Sequence, residues 1–533
     1  MDLNGKKIPY GTSGCRDLAE NIELVIKEIA MFTTYLSFIE KQAMGIMITA
    51  SHNPIQDNGV KIIGPNGEML DEENSSKLNL FINDPEERAR MDEMFSVGVF
   101  DPPSHSQIFI GGDNRPSTYN LIRLCIEGIQ SVSLTDDFYT VYMDVPTPAL
   151  HYYVYANNND RDNHVSLKKM FGPDYYTQYL ASVYIDSIRF FNKMPKRNYE
   201  NVIAFDAAYG VGEISPNIIR KLRNILSIVQ LNEQCAGVLN EKCGADYVKT
   251  YKKFPICCQD TSNHLKYVSF DGDADRIVYY FKKPNGGLGL VDGDKICALF
   301  AKFITEISLT VGLIIDCKVV QTAYANGASM DYFKNTLKVK HSLVKTGIRH
   351  LQDESKTAHV GIFFEANGHG SVYFSYEIMD LITKKYTHAM KAENRNLKSS
   401  QIIHLYNFMK MVNPVIGCAF SDMVCVEYCL QYFGWSIQEW HQIYNDKPNC
   451  LLKATGIDRT QFTTNDNETM LDEPKELQLF IQQLCDKQQG VRAFVRPSGT
   501  ENLVRIFAEA NTPEIAEEVG NKIKEEILKN YAS

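Results

Sequence analysis

The chain has 533 residues, of which 44% are hydrophobic and 23% are charged. These proportions are typical of folded globular proteins and exclude a largely disordered chain, while the length predicts several domains at roughly 100–200 residues each. The formal net charge of −10 argues against a basic face, so we expect neither nucleic acid nor a membrane as a partner.

Cysteine usage and the absence of a targeting segment indicate a soluble, cytoplasmic protein. The thirteen cysteines include no C-x-x-C pair, which is typical of reduced thiols in the cytosol. Cys425 and Cys429 are spaced to face a metal on a helix, but the amphipathic stretch around them favours core packing. The N-terminus lacks the apolar core of a signal peptide, and no run approaches the ~20 apolar residues of a membrane span.

The first part of the chain has the pattern of an α/β fold. Residues 22–42 carry apolar side chains at helical spacing, and the short apolar strand GIMITA follows them. Further apolar runs that end in an acid or a turn predict strands at 108–113, 202–210, 267–273 and 312–317. Enough chain separates these runs for helices, so we expect repeated α/β units.

The end of the chain predicts a separate small α+β domain after Trp435. Residues 491–510 read as two strands joined by a polar loop. A helix then begins at Thr512 and Pro513 and has one apolar face, formed by Ile515, Val519, Ile523 and Ile527. The polar stretch 457–475 is interpreted as a loop or linker, and the best candidates for other domain boundaries are 157–163 and 281–290.

The segment TASHNP, residues 49–54, places Ser51, His52 and Asn53 directly after an apolar strand. Taken alone, it could be an ordinary turn, because threonine, serine and asparagine favour turns and Pro54 ends a strand. Its alternative interpretation is a loop that presents a hydroxyl nucleophile.

The segment FDGDADR, residues 270–276, follows another apolar strand. Asp271, Asp273 and Asp275 alternate, so their carboxylates can converge on one hard cation. An EF-hand is excluded because Arg276 and Lys282 stand where glycine and glutamate are required. An aspartyl nucleophile at Asp271 or Asp273, or a solvated acidic turn, remains possible from the residues alone.

Two later loops carry groups suited to a phosphorylated sugar. In EANGHG, Glu365, Asn367 and His369 offer donors and acceptors for hydroxyl groups, although an ordinary turn would look the same. The loop RPSGTENLVR combines guanidinium, hydroxyl and backbone amide donors in a phosphate cradle, formed by Arg496, Ser498, Gly499, Thr500 and Arg505. The alternative for this loop is a surface turn with two solvated arginines.

A nucleophile, a cation site and a remote phosphate clamp are the parts that phosphoryl transfer requires. A nucleotide-driven kinase is disfavoured, since no Walker A motif, G-x-G-x-x-G loop or H-R-D segment occurs. In order and spacing, the four loops resemble the serine, metal, sugar and phosphate loops of the α-D-phosphohexomutase superfamily. FEANGHG, together with GGDNRPST lying after the serine loop at 111–118, resembles the eukaryotic-type phosphoacetylglucosamine mutase branch.

That resemblance implies an α/β fold of four domains around a central cleft, with three related α/β units that have mixed sheets and a C-terminal α+β domain. Each domain would supply one loop. Combined with the patterns above, it predicts domain 1 at 1–165 with the phosphoserine loop and domain 2 at 166–288 with the metal loop. Domain 3, at 289–435, would carry the sugar loop, and domain 4, at 436–533, the phosphate loop.

The resemblance also implies a mechanism. Ser51 would be a phosphoserine that donates its phosphoryl group to the sugar and takes one back, with Mg²⁺ bound by Ser51 and the three aspartates Asp271, Asp273 and Asp275. Arg16, His52 and Lys61 would line the catalytic site, Lys61 being the favoured proton carrier. The substrate would be bound by Arg276, Glu365, Asn367, Arg496, Ser498, Gly499, Thr500 and Arg505.

The implied reaction interconverts N-acetylglucosamine 6-phosphate and N-acetylglucosamine 1-phosphate through a 1,6-bisphosphate, in UDP-N-acetylglucosamine biosynthesis. The only partner expected is a small hexosamine phosphate, and the chain should be a monomer or weak dimer. Departures from the family pattern are Ser13, Cys15 and Asn502, none of which has an assigned chemical role. Alternatives are a phosphoglucomutase or phosphomannomutase of the same superfamily, or a non-catalytic phosphosugar-binding descendant.

Overall fold

The structure is a computed structural model that describes residues 8–11, 14–96, 105–133, 138–159, 172, 174–191, 198–234, 236–258, 266–392, 397–498 and 503–532. These residues form two compact units. Unit 1 takes in Met1–Asp292, Asn367–Val372 and Ile382–Ile437, and unit 2 takes in Gly293–Ala366, Tyr373–Leu381 and Gln438–Ser533.

Unit 1 begins with a mixed five-stranded sheet. Its strands are β1 (Cys15–Leu18), β2 (Ala43–Ile48), β3 (Asp57–Ile63), β4 (Gln107–Gly112) and β5 (Tyr139–Tyr142), in the order β1-β3-β2-β4-β5. The pairs β2–β4 and β4–β5 are parallel, whereas β3 is antiparallel to β1 and β2. Every residue of β2 and β4 is buried, as expected for central strands covered on both faces. The helices are α1 (Ala19–Ile22), α2 (Ile26–Glu40), α3 (Glu72–Asn83), α4 (Pro85–Ser96), α5 (Thr118–Gln130) and α6 (Thr147–Asn159).

A second mixed sheet of unit 1 carries the predicted metal loop. Its strands are β6 (Val202–Asp206), β7 (Ser227–Leu231), β8 (Lys266–Phe270), β9 (Ile277–Lys282) and β10 (Leu288–Val291), in the order β10-β9-β8-β6-β7. The helices α7 (Tyr175–Ile188), α8 (Pro216–Leu222) and α9 (Gly244–Tyr251) accompany it, with 3₁₀ turns at Arg189–Phe191 and Ile256–Cys258. The segment 281–290 forms the hairpin between β9 and β10, which are antiparallel.

A third sheet has the order β12-β11-β13-β14, and β11 is parallel to both β12 and β13. Its strands are β11 (Cys317–Thr322), β12 (Lys340–Val344), β13 (Val360–Phe364) and β14 (Gly370–Phe374). The helices in this part of the chain are α10 (Gly293–Val311), α11 (Gly327–Asp331), a π-helix (Tyr332–Leu337), α12 (Ile348–Ser355), α13 (Tyr376–Lys391), α14 (Leu397–Met411), α15 (Ala419–Phe433) and α16 (Ile437–His441).

The C-terminal part has an antiparallel sheet in the order β15-β19-β18. Its strands and helices are β15 (Asn449–Thr455), β18 (Arg492–Pro497), β19 (Leu503–Glu509), α17 (Lys475–Asp486) and α18 (Pro513–Tyr531). Thr512 caps α18 by accepting a hydrogen bond from the Ile515 amide at 3.4 Å. The segment 457–475 is more structured than predicted, because it contains a 3₁₀ turn (Arg459–Gln461) and the ribbon of β16 (Thr463–Thr464) and β17 (Leu471–Glu473).

One predicted strand is wrong. Residues 312–316 connect α10 to β11, and the strand begins only at Cys317. Gly312 takes a positive φ of 70° and the Leu313 amide bonds to the Ser308 carbonyl at 2.8 Å, so this apolar stretch ends a helix. The side chain of Ile314 is 95% exposed, which explains why its hydrophobicity was misleading.

The other predicted strands and the first helix are present. The predicted helix 22–42 corresponds to α2, and the predicted strands at 108–113, 202–210 and 267–273 correspond to β4, β6 and β8. Cys425 and Cys429 are fully buried in α15, as the prediction of core packing requires. Among the described residues, no helix combines the length and hydrophobicity that crossing a bilayer requires.

A buried ion pair joins α15 to the second sheet of unit 1. Lys266 Nζ lies 2.5 Å from Glu427 Oε2, and the two side chains are 2% and 0% exposed. Glu427 also accepts hydrogen bonds from the hydroxyls of Tyr199 and Tyr279, and Lys266 donates to the Glu200 carbonyl. Both members of the pair therefore have hydrogen bonds in addition to the ion pair, which is the condition under which a buried charge is tolerated.

We expect Lys266→Met to destabilise the protein by about 3–5 kcal/mol, because it leaves the Glu427 carboxylate buried without a cation. The measurement is chemical unfolding followed by circular dichroism. The matched control is Lys522→Met, which removes an exposed lysine paired with Glu518 on α18 and should move the midpoint little. Equal midpoints for the two variants would contradict this assignment.

Candidate active site

The serine loop begins where β2 ends and holds Ser51 in a strained backbone conformation. Ser51 is completely buried and has a φ of +53°, a left-handed region that costs a non-glycine residue about 1–3 kcal/mol. Its amide donates to Thr49 Oγ1 at 2.9 Å, and that hydroxyl donates to Asp113 Oδ2 at 2.7 Å. Surrounding contacts must therefore hold this conformation in place.

The metal loop follows β8 and brings three buried carboxylates together. One oxygen from each of Asp271, Asp273 and Asp275 lies within 4.8 Å of the others. Asp273 Oδ1 and Asp275 Oδ1 are buried and accept no hydrogen bond from the described residues. Carboxylate oxygens arranged in this way suit a hard divalent cation, so the residues present fit a magnesium site.

The serine and metal loops meet directly. Ser51 Oγ donates to Asp271 Oδ2 at 2.8 Å. Burial, followed by the charges of Asp275 and Asp273, raises the pKa of Asp271 well above its usual range. A cation bound among the three carboxylates would oppose that effect, because it favours the charged form of each.

Lys61 forms ion pairs with two of the three carboxylates. It lies on β3, and its Nζ is 2.8 Å from Asp273 Oδ2 and 2.9 Å from Asp275 Oδ2. Burial alone would lower the pKa of Lys61, but the charges of Asp273 and Asp275 outweigh it and raise the pKa, so the amine is protonated. Arg16, on the neighbouring strand β1, has a buried Nε that makes no hydrogen bond to the described residues.

His52 and Arg276 form a pair beside the serine. Burial, and then the positive charge of Arg276, lowers the pKa of His52 well below its usual value, so the imidazole is neutral. Arg276 Nη1 lies 2.8 Å from His52 Nδ1, and because a guanidinium only donates, Nδ1 is the acceptor. The imidazole proton therefore sits on Nε2, where it can be donated to another group.

The sugar loop is tied to the metal loop by backbone contacts. The Ile277 amide donates to the Gly368 carbonyl at 3.2 Å, and Arg276 and His369 form an isolated antiparallel bridge. The Asn367 side chain accepts from the His369 amide at 3.1 Å. Glu365, which belongs to unit 2, directly follows β13 and is 9% exposed.

The described part of the phosphate loop lies in unit 2. Arg496 on β18 is directly opposite Arg505 on β19. Arg496 Nε is 2.8 Å from Glu468 Oε2, and the carbonyl of buried Ser498 accepts from Arg459 Nη1 at 2.7 Å. Gly499 and Thr500, which were predicted to bind substrate, lie outside the described residues, as do Ser13 and Asn502.

Sequence reasoning missed several residues that hold the serine loop and the metal loop in place. Thr147, at the start of α6, donates to Asp273 Oδ2 at 2.8 Å, and Asn240 Nδ2 donates to the Ser51 carbonyl at 2.8 Å. No local pattern marks either one. Asp113 and Arg115 belong to GGDNRPST, a segment that the sequence marks only by its resemblance to the family.

Family models agree with this architecture. Residues 18–89 match the model described as phosphoglucomutase/phosphomannomutase, alpha/beta/alpha domain I, and residues 460–526 match the C-terminal domain of that family. Residues 221–278 and 292–435 match phosphoacetylglucosamine mutase AMG1, domain II and domain III. The fold is therefore the four-domain α/β architecture of the phosphoglucomutase/phosphomannomutase class, which confirms the predicted fold class.

Full-length relatives identify the family within that class. The phosphoacetylglucosamine mutase of Homo sapiens is 34% identical over 528 residues, covering 98% of this chain and 94% of that protein. The chain belongs to the phosphoacetylglucosamine mutase family, and the predicted resemblance is confirmed.

Solved structures give the same result. An N-acetylglucosamine-phosphate mutase in its substrate complex has a TM-score of 0.86 at 32% identity, covering 99% of this chain and 98% of that chain. The Aspergillus fumigatus N-acetylphosphoglucosamine mutase in complex with GlcNAc-6P and magnesium has a TM-score of 0.85 at 30% identity, covering 98% of this chain and 96% of that chain.

We expect Asp273→Asn to weaken Mg²⁺ binding by at least roughly 10-fold, the lower end of what even outer-shell substitutions cost. The physical reason is the loss of one charged oxygen ligand from the cluster. Titration calorimetry with MgCl₂ provides the measurement. The control is Asp292→Asn, which removes an acid that pairs with Lys249 outside the cluster; unaltered affinity in Asp273→Asn would contradict the site.

Proposed function

We propose that the chain interconverts N-acetylglucosamine 6-phosphate and N-acetylglucosamine 1-phosphate through a phosphoserine at Ser51. The observation that carries this proposal is the hydrogen bond from Ser51 Oγ to Asp271 within a cluster of three buried carboxylates. A buried serine hydroxyl beside a cation site is what reversible phosphoryl transfer requires. Membership of the phosphoacetylglucosamine mutase family supports the choice of sugar.

In the first half-reaction, the bond between phosphorus and Ser51 Oγ breaks while a bond to a sugar hydroxyl oxygen forms. Lys61, the candidate proton carrier, holds a proton at rest. It would pass that proton to the departing Ser51 Oγ and take the proton of the attacking hydroxyl, and the product is a sugar 1,6-bisphosphate. In the second half-reaction, Ser51 Oγ attacks the other phosphate and its proton goes to Lys61, while the proton that Lys61 held passes to the released sugar oxygen. Mg²⁺, held by Asp271, Asp273, Asp275 and the phosphorylated Ser51, would neutralise charge on the transferring group.

Hydrogen-bond donors beside the serine would bind the phosphoryl oxygens. His52 presents its Nε2 proton, because Nδ1 is engaged by Arg276, and Arg16 has a buried Nε without a hydrogen bond to the described residues. Such donors stabilise charge in a site from which water is excluded. We assign Arg276 to the same group of phosphate contacts.

The remaining residues would hold the sugar and its second phosphate. Glu365 and Asn367 would bind hydroxyls that both orientations of the sugar share. The phosphate that is not reacting would be bound by Arg496, Ser498, Gly499, Thr500 and Arg505. Arg496 and Arg505 lie directly opposite each other on paired strands. An anion bound between them would relieve the repulsion between their charges, and this supports the proposed anion site.

We also propose the domain limits 1–165, 166–288, 289–435 and 436–533, with one loop from each domain. The protein would act in the cytoplasm as a monomer or weak dimer, without nucleic acid or membrane partners. Its product would supply UDP-N-acetylglucosamine biosynthesis.

We expect Ser51→Ala to abolish sugar-phosphate exchange while leaving the fold intact, because the nucleophile is lost from a loop position that tolerates alanine. A coupled assay of 1-phosphate formation measures the activity, and intact mass spectrometry should find one phosphate on the wild-type chain and none on the variant. Ser76→Ala, an exposed serine on α3, is the matched control. Full exchange in Ser51→Ala would refute the phosphoserine and favour Asp271 or Asp273 as nucleophile.

We expect N-acetylglucosamine 6-phosphate to be preferred over glucose 6-phosphate by roughly tenfold or more in kcat/KM, because polar groups that face the acetamido group would be left unpaired by glucose. A competition assay with both substrates measures this ratio directly, and mannose 6-phosphate serves as a further comparison. A preference for the glucose or mannose compound would overturn the assigned substrate while leaving the phosphoserine chemistry in place.

A further inference from the structure

Arg115 is a buried arginine that directs four of its five N–H donors to the serine loop. It follows β4, and its side chain has no exposed surface. Nη1 donates to the Pro54 and Asp57 carbonyls at 2.5 and 2.8 Å, and Nη2 donates to the Ser51 and Asn53 carbonyls at 3.0 and 2.9 Å. Four carbonyl oxygens of one short loop therefore converge on one guanidinium.

Asp113 takes the remaining donor of that guanidinium. Arg115 Nε donates to Asp113 Oδ2 at 3.0 Å, and the Asp113 side chain is also completely buried. A guanidinium has five N–H donors, and all five are now accounted for. Arg115 therefore has no donor left for a substrate phosphate, and its charge is balanced by Asp113.

The same carboxylate reaches the reactive residue by a second route. Asp113 Oδ2 accepts from Thr49 Oγ1, which in turn accepts from the Ser51 amide. Ser51 is thus held on both sides: its amide through Thr49 and Asp113, and its carbonyl through Arg115. We call Asp113, Thr49 and Arg115 the serine-loop frame.

Ser51 needs such a frame for a chemical reason. Under the proposed function, on which this inference rests, Ser51 alternates between a hydroxyl and a phosphoserine, a change of about −1.5 to −2 in charge. That change occurs beside three carboxylates and several cations, so the forces on the loop differ between the two states. A loop held only by its own left-handed backbone would take different positions in the hydroxyl and phosphoserine states.

We propose that Arg115 is a positioning residue that holds the Ser51 backbone in one place through both states of the catalytic cycle. Arg115 acts through Ser51 and does not touch the substrate. Its removal should therefore slow phosphoryl transfer, because small displacements of a reacting group reduce rates by up to about 10²-fold, while substrate and metal binding stay as they are.

The experiment compares Arg115→Lys with the wild-type chain. Lysine keeps the charge that balances Asp113, but it has only three donors, so at least two of the five acceptors lose their bond to residue 115. We expect kcat to fall by about 10²-fold, with KM for N-acetylglucosamine 6-phosphate and the dissociation constant for Mg²⁺ both within twofold of wild type. Thr49→Val is the second variant, because it breaks the other arm of the frame with little change in shape, and it should lower kcat at least tenfold.

Two controls separate positioning from general destabilisation. Arg123→Lys makes the same substitution on the exposed face of α5, where Arg123 pairs with Glu127. Lys266→Met destabilises unit 1 away from the serine loop. Both should retain wild-type kcat per folded molecule, so a fall in kcat in the frame variants cannot be ascribed to lost stability.

The outcomes divide clearly. A folded Arg115→Lys variant with kcat within twofold of wild type overturns the proposal, as does a raised KM with unchanged kcat, which would make Arg115 a substrate ligand. If Arg115→Lys does not fold, Thr49→Val decides, and wild-type kcat in that variant overturns the proposal. A wild-type chain with neither exchange activity nor phosphate on Ser51 refutes the proposed function itself, and this inference with it.

Discussion

The structure of unit 1 depends on how the repulsion between three buried carboxylates is compensated. Asp271, Asp273 and Asp275 are no more than 1% exposed, and burying like charges together is unfavourable unless cations and hydrogen bonds compensate. Lys61 bonds to two of them, and the amides of Asp275 and Arg276 both donate to Asp271 Oδ1 at 3.1 Å. β3 and the turn after β8 must therefore meet at this point, which also brings Ser51 to the cluster.

Unit 2 contains the opposite electrostatic arrangement. Arg496 and Arg505 face each other across two paired strands, and like charges directly opposite one another destabilise a sheet. Glu468 offsets part of this repulsion through its ion pair with Arg496, and it is held in turn by the amide and hydroxyl of Thr346. The acidic cluster of unit 1 suits a metal cation, whereas the basic strands of unit 2 suit an anion.

Candidate site residues could be chosen from the sequence where the reactive side chains and the strand that positions them lie in one short segment. Ser51 and the three aspartates could be selected because each motif directly follows an apolar strand, and strand ends are where side chains converge. Thr147 and Asn240 could not be found, since they contact Asp273 and Ser51 across 126 and 189 residues of chain. The false strand at 312–317 arose because hydrophobicity alone does not distinguish a strand from a helix end with an exposed isoleucine.

Gly368 limits how the loop that is proposed to bind the sugar could be redesigned. A Cβ at this residue would lie 1.9 Å from the Ile277 carbonyl oxygen, and its φ of +91° is unfavourable for any side chain. Because Ile277 directly follows FDGDADR, displacing this glycine would also displace the metal loop. An engineer who transplants a different sugar loop would have to transplant the metal loop and β9 with it, or confine redesign to the side chains that flank this glycine.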